Sequence, residues 1–202
     1  MDAYKLQLKI FLTPDSARAV PPEAFVPVFH RWIKERLLPD LVIDVANYLH
    51  VPEGPGVVLI GDGSDYFMDQ REGRLGLLHS RKRASAAPVD RLTDLARRTL
   101  DVAVRLEREP TLSGSVRFSP NEFVFRVNDR LAAPNSDTTF AVVQPELERM
   151  AAQIFGGPFE LTRSGGPKDL FTVRMTSPTD APLVALLERA GGSPAPGGSR
   201  KM

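Results

Sequence analysis

Histidine is the one side chain in this sequence whose ordinary pKa suits proton transfer near neutrality. The chain has three: His30, His50 and His79. His50 has polar company. If residues 41–51 form a strand, alternation puts Val42, Asp44, Ala46, Tyr48 and His50 on one face and Leu41, Ile43, Val45, Leu49 and Val51 on the other. Tyr48 and His50 would then stand about 6–7 Å apart, close enough to touch one ligand, whereas Asp44 is roughly 20 Å from His50 and cannot pair with it. An acid for His50 must come from another segment, and Glu53 or the Asp62–Asp65 loop is nearest in sequence. The candidate catalytic groups are therefore His50, Tyr48 and Asp65, against the plainer reading of a solvated sheet face. His30 falls with Lys34 on the side of a helix away from Trp32 and Ile33, as a surface histidine would.

A second set of residues suits anion recognition. In Phe123–Arg130, Phe123, Phe125 and Val127 alternate with Val124, Arg126 and Asn128, and Arg130 follows in a loop. Arg126, Asn128 and Arg130 together could hold a carboxylate or a phosphate. Ion pairing of these arginines to acids elsewhere in the chain is the structural alternative. Arg81-Lys82-Arg83 reads as a solvated edge that discourages sheet-to-sheet association. Nucleic-acid binding would need a larger basic patch with exposed aromatics, and the basic block of residues 71–108 contains no aromatic residue, so a nucleic-acid partner is not expected.

Several chemistries are excluded. The absence of cysteine removes thiol nucleophiles, disulfides and cysteine-ligated metals. The glycine-rich Gly54–Asp65 is no phosphate loop, because Asp62-Gly63 follows Gly61 where Lys and Ser or Thr are required. The oxygens of Asp62, Ser64 and Asp65 fall short of a calcium loop, and turn chemistry accounts for them. Neither a Gly-x-Ser-x-Gly elbow nor a His-Glu-x-x-His pair is present. No metal or cofactor is expected.

The elements that must position these residues follow from periodicity. Tyr4, Leu6, Leu8, Ile10 and Leu12 alternate with Lys5, Gln7 and Lys9 as a half-buried strand. Residues 24–38 read as a helix stopped by Pro39, 41–51 and 57–60 as strands, and 65–70 with 74–80 as a hairpin around Arg71-Glu72-Gly73. A long helix follows, with Pro88 in its first turn and Asp94/Arg98, Arg97/Asp101 and Asp101/Arg105 as pairs on its wet face. Residues 115–118 and 122–127 suggest a hairpin about Ser119–Glu122. Pro145 should break the helix over 137–155 into two pieces. Strands at 159–163 and 169–176 and a helix at 181–189 complete the order. The frequent hairpins predict an α+β fold, with a mainly antiparallel sheet, helices on one face and a ferredoxin-like element order carrying an inserted hairpin. Residues 1–190 read as one domain, divisible into sub-lobes 1–110 and 111–190. Residues 191–202, rich in Gly, Ser and Pro, read as a flexible tail.

The chain has 202 residues, 26 Lys and Arg against 25 Asp and Glu, and 42% hydrophobic residues, as a globular protein would. Its near-neutral total hides an asymmetry. Residues 37–70 hold six acids and no Lys or Arg, a charge of −6. Residues 71–108 hold ten Lys and Arg against five acids, a charge of +5. The two blocks either neutralise each other across neighbouring elements or form two poles suited to an oriented partner. The N-terminal residues lack the apolar core of a secretory signal, and no stretch approaches the roughly 18 apolar residues of a membrane span, so a cytoplasmic protein without a membrane partner is expected.

Phe25–Ile33, Gly54–Gly61 and Phe125–Arg130 resemble phrases in bacterial proteins of similar length that have no assigned activity. The resemblance would cover most of the chain; it implies a bacterial, cytoplasmic source and carries over no functional residue. The expected function is a non-catalytic module that binds a protein partner or a small polar ligand, with a homodimer as one form of assembly. The alternative is a small enzyme acting on a small anionic substrate, with His50 as base, Tyr48 as orienting group and Arg126 as anchor.

Overall fold

The computed structural model describes residues 5–83 and 90–193. Pro88 and residues 194–202 of the expected tail lie outside the described residues. The fold is α+β. In chain order the elements are β1 (Leu6–Leu12), α1 (Pro14–Ala19), α2 (Phe25–Glu35), β2 (Val42–Asn47), β3 (Val57–Gly61), β4 (Ser64–Asp69), β5 (Gly76–Arg81), α3 (Arg91–Glu107), β6 (Phe118–Val127), α4 (Asp137–Phe155), β7 (Glu160–Ser164), β8 (Phe171–Thr176) and α5 (Leu183–Arg189). The strands form one eight-stranded sheet in the order β2-β3-β4-β5-β1-β6-β8-β7. Every neighbouring pair is antiparallel. The first strand of the chain thus lies inside the sheet, between β5 and β6.

That position explains why every residue of β1 is buried. Leu6, Leu8 and Ile10 join Leu59, Tyr66, Leu77, Phe123, Phe125 and Val173 in one core with α2 (Phe25, Phe29, Trp32), α3 (Leu92, Leu95, Leu100), α4 (Leu147, Ile154) and α5 (Leu183, Leu187). Alternation sends Gln7, Lys9 and Phe11 to the opposite face of the sheet. Ser80 and Leu78 beside them on β5, Arg126 and Val124 on β6, and Phe67 and Asp69 on β4 share that face by register. The half-buried strand expected from the Lys and Gln residues is therefore buried on both faces.

Four local expectations are corrected. The strand over 41–51 ends at Asn47, and Tyr48–His50 leads into a turn. A bulge at Ile43 sets Val42 opposite Gly61 but Asp44 opposite Ile60, which takes Val42 off the face that Asp44 and Ala46 share. The hairpin at Ser119–Glu122 is instead a bulge within one strand, since Ile10 faces Phe123 while Leu12 faces Phe118. Pro120 is tolerated there because the bulge asks for no ladder donor from it. Helix α4 runs unbroken through Pro145. Pro145 and Ala141 are both exposed, so water can reach the carbonyl that loses its helical partner. Finally, Arg81-Lys82-Arg83 ends an interior strand, not an edge, and all three side chains are ion-paired: Arg81 to Asp94, Lys82 to Asp65 at 2.8 Å and Arg83 to Asp62 at 2.8 Å.

The same pairs decide the charge asymmetry. Asp62 and Asp65 meet Arg83 and Lys82, and Asp40 meets Arg98. Asp69 takes the buried Lys9. The acidic and basic blocks neutralise each other in good part across β4, β5 and α3, so the sequence-local dipole does not carry over whole to the surface.

Candidate functional site

The face of the sheet opposite the core bears two adjoining clefts. One, of about 680 Å³, opens over the ends of β1, β4, β5 and β6. Gln7, Ser80, Asp65 and Asn128 line it with Lys5, Arg71 and Lys82, and Phe67 and Leu78 supply apolar surface. The other, of about 340 Å³, lies between the turn at Tyr48–Gly56 and the turn at Arg71–Gly73. Arg71 borders both.

Local structure places these groups. Gly56, at φ +72°, brings the 48–56 turn back into β3, and a side-chain carbon there would sit 2.0 Å from the Met68 carbonyl oxygen. Only glycine fits that approach. Beside it, Glu72 and Gly73 both adopt left-handed backbone, at φ 64° and 67°. The turn folds over the sheet so that the Arg71 carbonyl accepts from Lys9 Nζ at 2.8 Å.

Gln7 is the polar group of the larger cleft with an unmet requirement. It is 94% buried, from a residual exposure of 6%. Its amide nitrogen donates to Ser80 Oγ at 3.1 Å, while its Oε1 has no partner. Buried acceptors are rarely left so, because the lost hydration is not replaced. Lys82, just past the end of β5, donates to Asp65 Oδ1 at 2.8 Å, which also accepts from the Gly61 amide at 3.1 Å.

Beneath the Arg71–Gly73 turn lies a buried charge cluster. Lys9, fully buried, pairs with Asp69 and with Glu72 Oε2 at 3.0 Å. Glu72 Oε1 receives Arg126 Nη2. Arg126 Nη1 and Asp69 Oδ2 are buried without partners.

The core side carries a second polar network. The His79 ring stacks on Tyr66 at 4.7 Å, and its Nδ1 donates to Thr99 Oγ1 at 3.0 Å, because that hydroxyl already donates to the Leu95 carbonyl. Burial, with a smaller contribution from the Arg81 charge, pushes the His79 pKa down to about 3. Tyr66 donates to Asp40 at 2.7 Å. Burial, reinforced by Asp40, raises the Tyr66 phenol well above its ordinary value. Asp40 pairs with Arg98, and Asp94 accepts from Arg81, Arg97 and Arg98. Burial alone would raise the Asp94 pKa, but these three arginines outweigh it and hold the carboxyl below its usual range. A neutral histidine and a protonated tyrosine, both without access to solvent, make this network a structural one.

The residues singled out in the sequence are dispersed. Asp65 and Asn128 line the larger cleft and Tyr48 the smaller. His50 is exposed and lines neither. Arg126 is buried under Glu72, and Arg130 donates to the Lys168 carbonyl at 2.8 Å. Sequence reasoning missed Gln7, Lys9, Glu72 and Ser80. The alternation of β1 signalled that Gln7 and Lys9 share a face, but nothing local showed that this face is covered. No group of three or more His, Asp or Glu that could hold a metal ion occurs among the described residues, and no helix among them is long and apolar enough to cross a membrane.

Comparison with protein-family models finds no match for this chain, and searches of curated proteins and of solved structures find none either.

Proposed function

We propose that this protein is a non-catalytic module that binds a small polar ligand in the Gln7 cleft. The observation that carries the proposal is the unpartnered Oε1 of a 94% buried Gln7 lining a cleft edged by Lys5, Arg71 and Lys82. A ligand that fits has an anionic group for the cationic rim and an N–H or O–H donor for Gln7 Oε1. That is the chemistry of an amino acid or a hydroxy acid.

The fold supports the reading. The apolar residues of α2–α5 cluster with the Leu6, Leu8 and Ile10 side of the sheet, and we infer that the helices occupy that face and leave the other to ligands. We also infer a ferredoxin-like unit. β1, α2, β4, β5, α3 and β6 follow the β-α-β-β-α-β order with sheet neighbours β4-β5-β1-β6, and β2–β3 is the inserted hairpin. The enzymatic alternative through His50, Tyr48 and Arg126 has less support, because it needs all three on one substrate, and His50 lines neither cleft.

Thermal-shift and calorimetric titration with amino acids and hydroxy acids, at matched ionic strength, tests the proposal. At least one compound should bind, and Gln7→Met should weaken it about fivefold to tenfold, as expected for one lost hydrogen bond at a buried acceptor. Absence of binding by both compound classes, or equal binding by Gln7→Met, would overturn it.

A further inference from the structure

The Glu72 cluster goes beyond the Gln7 cleft, and a different observation carries it. We propose that Lys9 and Arg126 form an anion site that Glu72 fills as a tethered carboxylate, and that a small free carboxylate can take its place and release the Arg71–Gly73 turn.

The members of this cluster are unequally held. The Lys9 side chain is fully buried and that of Arg126 is 9% exposed, but Glu72 is 28% exposed and borders the 340 Å³ cleft. The cations belong to interior strands β1 and β6, whereas the carboxylate comes from a surface turn. Solvent therefore reaches the one member that can leave. Lys9 does not depend on it alone, because Asp69 and the Arg71 carbonyl also accept from Nζ.

Arg126 is the group that Glu72 serves incompletely. Of its two terminal nitrogens, Nη2 donates to Glu72 Oε1 and Nη1 is buried with no acceptor. The tether explains this. Glu72 spreads its two oxygens between Lys9 and Arg126, so it cannot also present both to the guanidinium fork. A free carboxylate is not so restrained and can accept from Nη1 and Nη2 together, the geometry that arginine and carboxylate favour.

Backbone and charge point the same way. Glu72 holds left-handed backbone that residues with a side chain rarely adopt, so withdrawing its carboxylate lets the turn relax. Two cations, Lys9 and Arg126, face two carboxylates, Asp69 and Glu72. Exchanging one carboxylate for another keeps that balance, whereas a phosphate dianion would add a charge at a largely buried site. The site therefore selects small monocarboxylates.

The test removes the tether. Glu72→Gly deletes the carboxylate and permits the φ of 64°, and Glu72→Gln keeps the side chain's shape without its charge. Melting of each is followed in sodium acetate against sodium chloride at equal ionic strength and pH 7. We expect acetate to raise the midpoint of both variants, by about 4 °C once it reaches about ten times its dissociation constant. Wild type, with Glu72 competing at high effective concentration, should need far more acetate. Adding Arg126→Met to Glu72→Gly should abolish the acetate response. Equal melting in acetate and chloride for both single variants would overturn the proposal. So would their failure to fold even when refolded in acetate, because the free carboxylate should restore what the tethered one supplied.

Discussion

Acid sensitivity centred on His79 follows directly from its surroundings. The ring is fully buried, stacked on Tyr66, and its pKa is pushed down to about 3, first by burial and then by the Arg81 charge. In the unfolded chain a histidine takes up its proton near pH 6.5. Between those values the unfolded state binds the proton and the folded state does not, so stability is complete above about pH 6.5 and falls as the pH drops. At pH 5 the loss is about 2 kcal/mol from this residue alone, and the limit is reached near pH 3. Other groups titrate in the same range, so the assay compares wild type with His79→Leu by urea unfolding at pH 7.5 and pH 5. Trp32, the single tryptophan and 1% exposed, reports the transition by fluorescence. His79→Leu should be less stable at pH 7.5, by about 1–3 kcal/mol, because it loses the Thr99 bond and the tyrosine stack. That gap should shrink by about 2 kcal/mol at pH 5. A gap that stays constant to within about 0.5 kcal/mol would mean that the folded protein accepts the proton as readily as the unfolded chain, and the buried-neutral description of His79 would be wrong.

Two further outcomes concern the frame around the site. Asp94→Asn leaves Arg81, whose side chain is 6% exposed, without its carboxylate and should cost about 3–5 kcal/mol in urea unfolding; adding Arg81→Met should restore part of the loss, and a double variant no more stable than the single one would show that the pair is not the cause. Pro145→Ala restores a helical donor in the interior of α4 and should raise stability by about 1–2 kcal/mol after allowing for the freer unfolded chain, whereas a loss of stability would show that the ring makes contacts which outweigh the missing bond.

Much of this architecture was legible in the sequence because most of the elements are locally specified. The apolar stripe of α3 and the alternation of β1 each announce an element and a face. The α+β class and the antiparallel sheet followed from the frequency of hairpin signals. What failed was non-local. Nothing near Gln7 and Lys9 shows that β1 will lie between β5 and β6, and it is that placement which buries both polar side chains. The Tyr48–His50 stripe depended on a strand that continued to Val51, and its end at Asn47 undid it. Lys82, Arg83 and Arg98 looked like solvent-facing charge, yet their partners Asp65, Asp62 and Asp40 lie 17 to 58 residues away in sequence. The Glu72 cluster was hidden for the same reason, since Lys9, Glu72 and Arg126 come from three separated segments. Of the residues that line the Gln7 cleft, Asn128 was singled out in the sequence as a binding group and Asp65 as a catalytic one, while Gln7 could be recognised only through its missing hydrogen bond.

The central claim is that the Gln7 face binds a small anion bearing a hydrogen-bond donor. The most direct measurement is a ¹H–¹⁵N spectrum of uniformly labelled protein, titrated with amino acids and hydroxy acids at constant ionic strength. Saturable shifts should centre on the Gln7 side-chain amide and on the backbone amides of Ser80, Lys82 and Asn128, and Gln7→Met should move the backbone titrations to about fivefold to tenfold more ligand. A spectrum unchanged by every compound, or saturable shifts confined to His50 and its neighbours, would contradict the account.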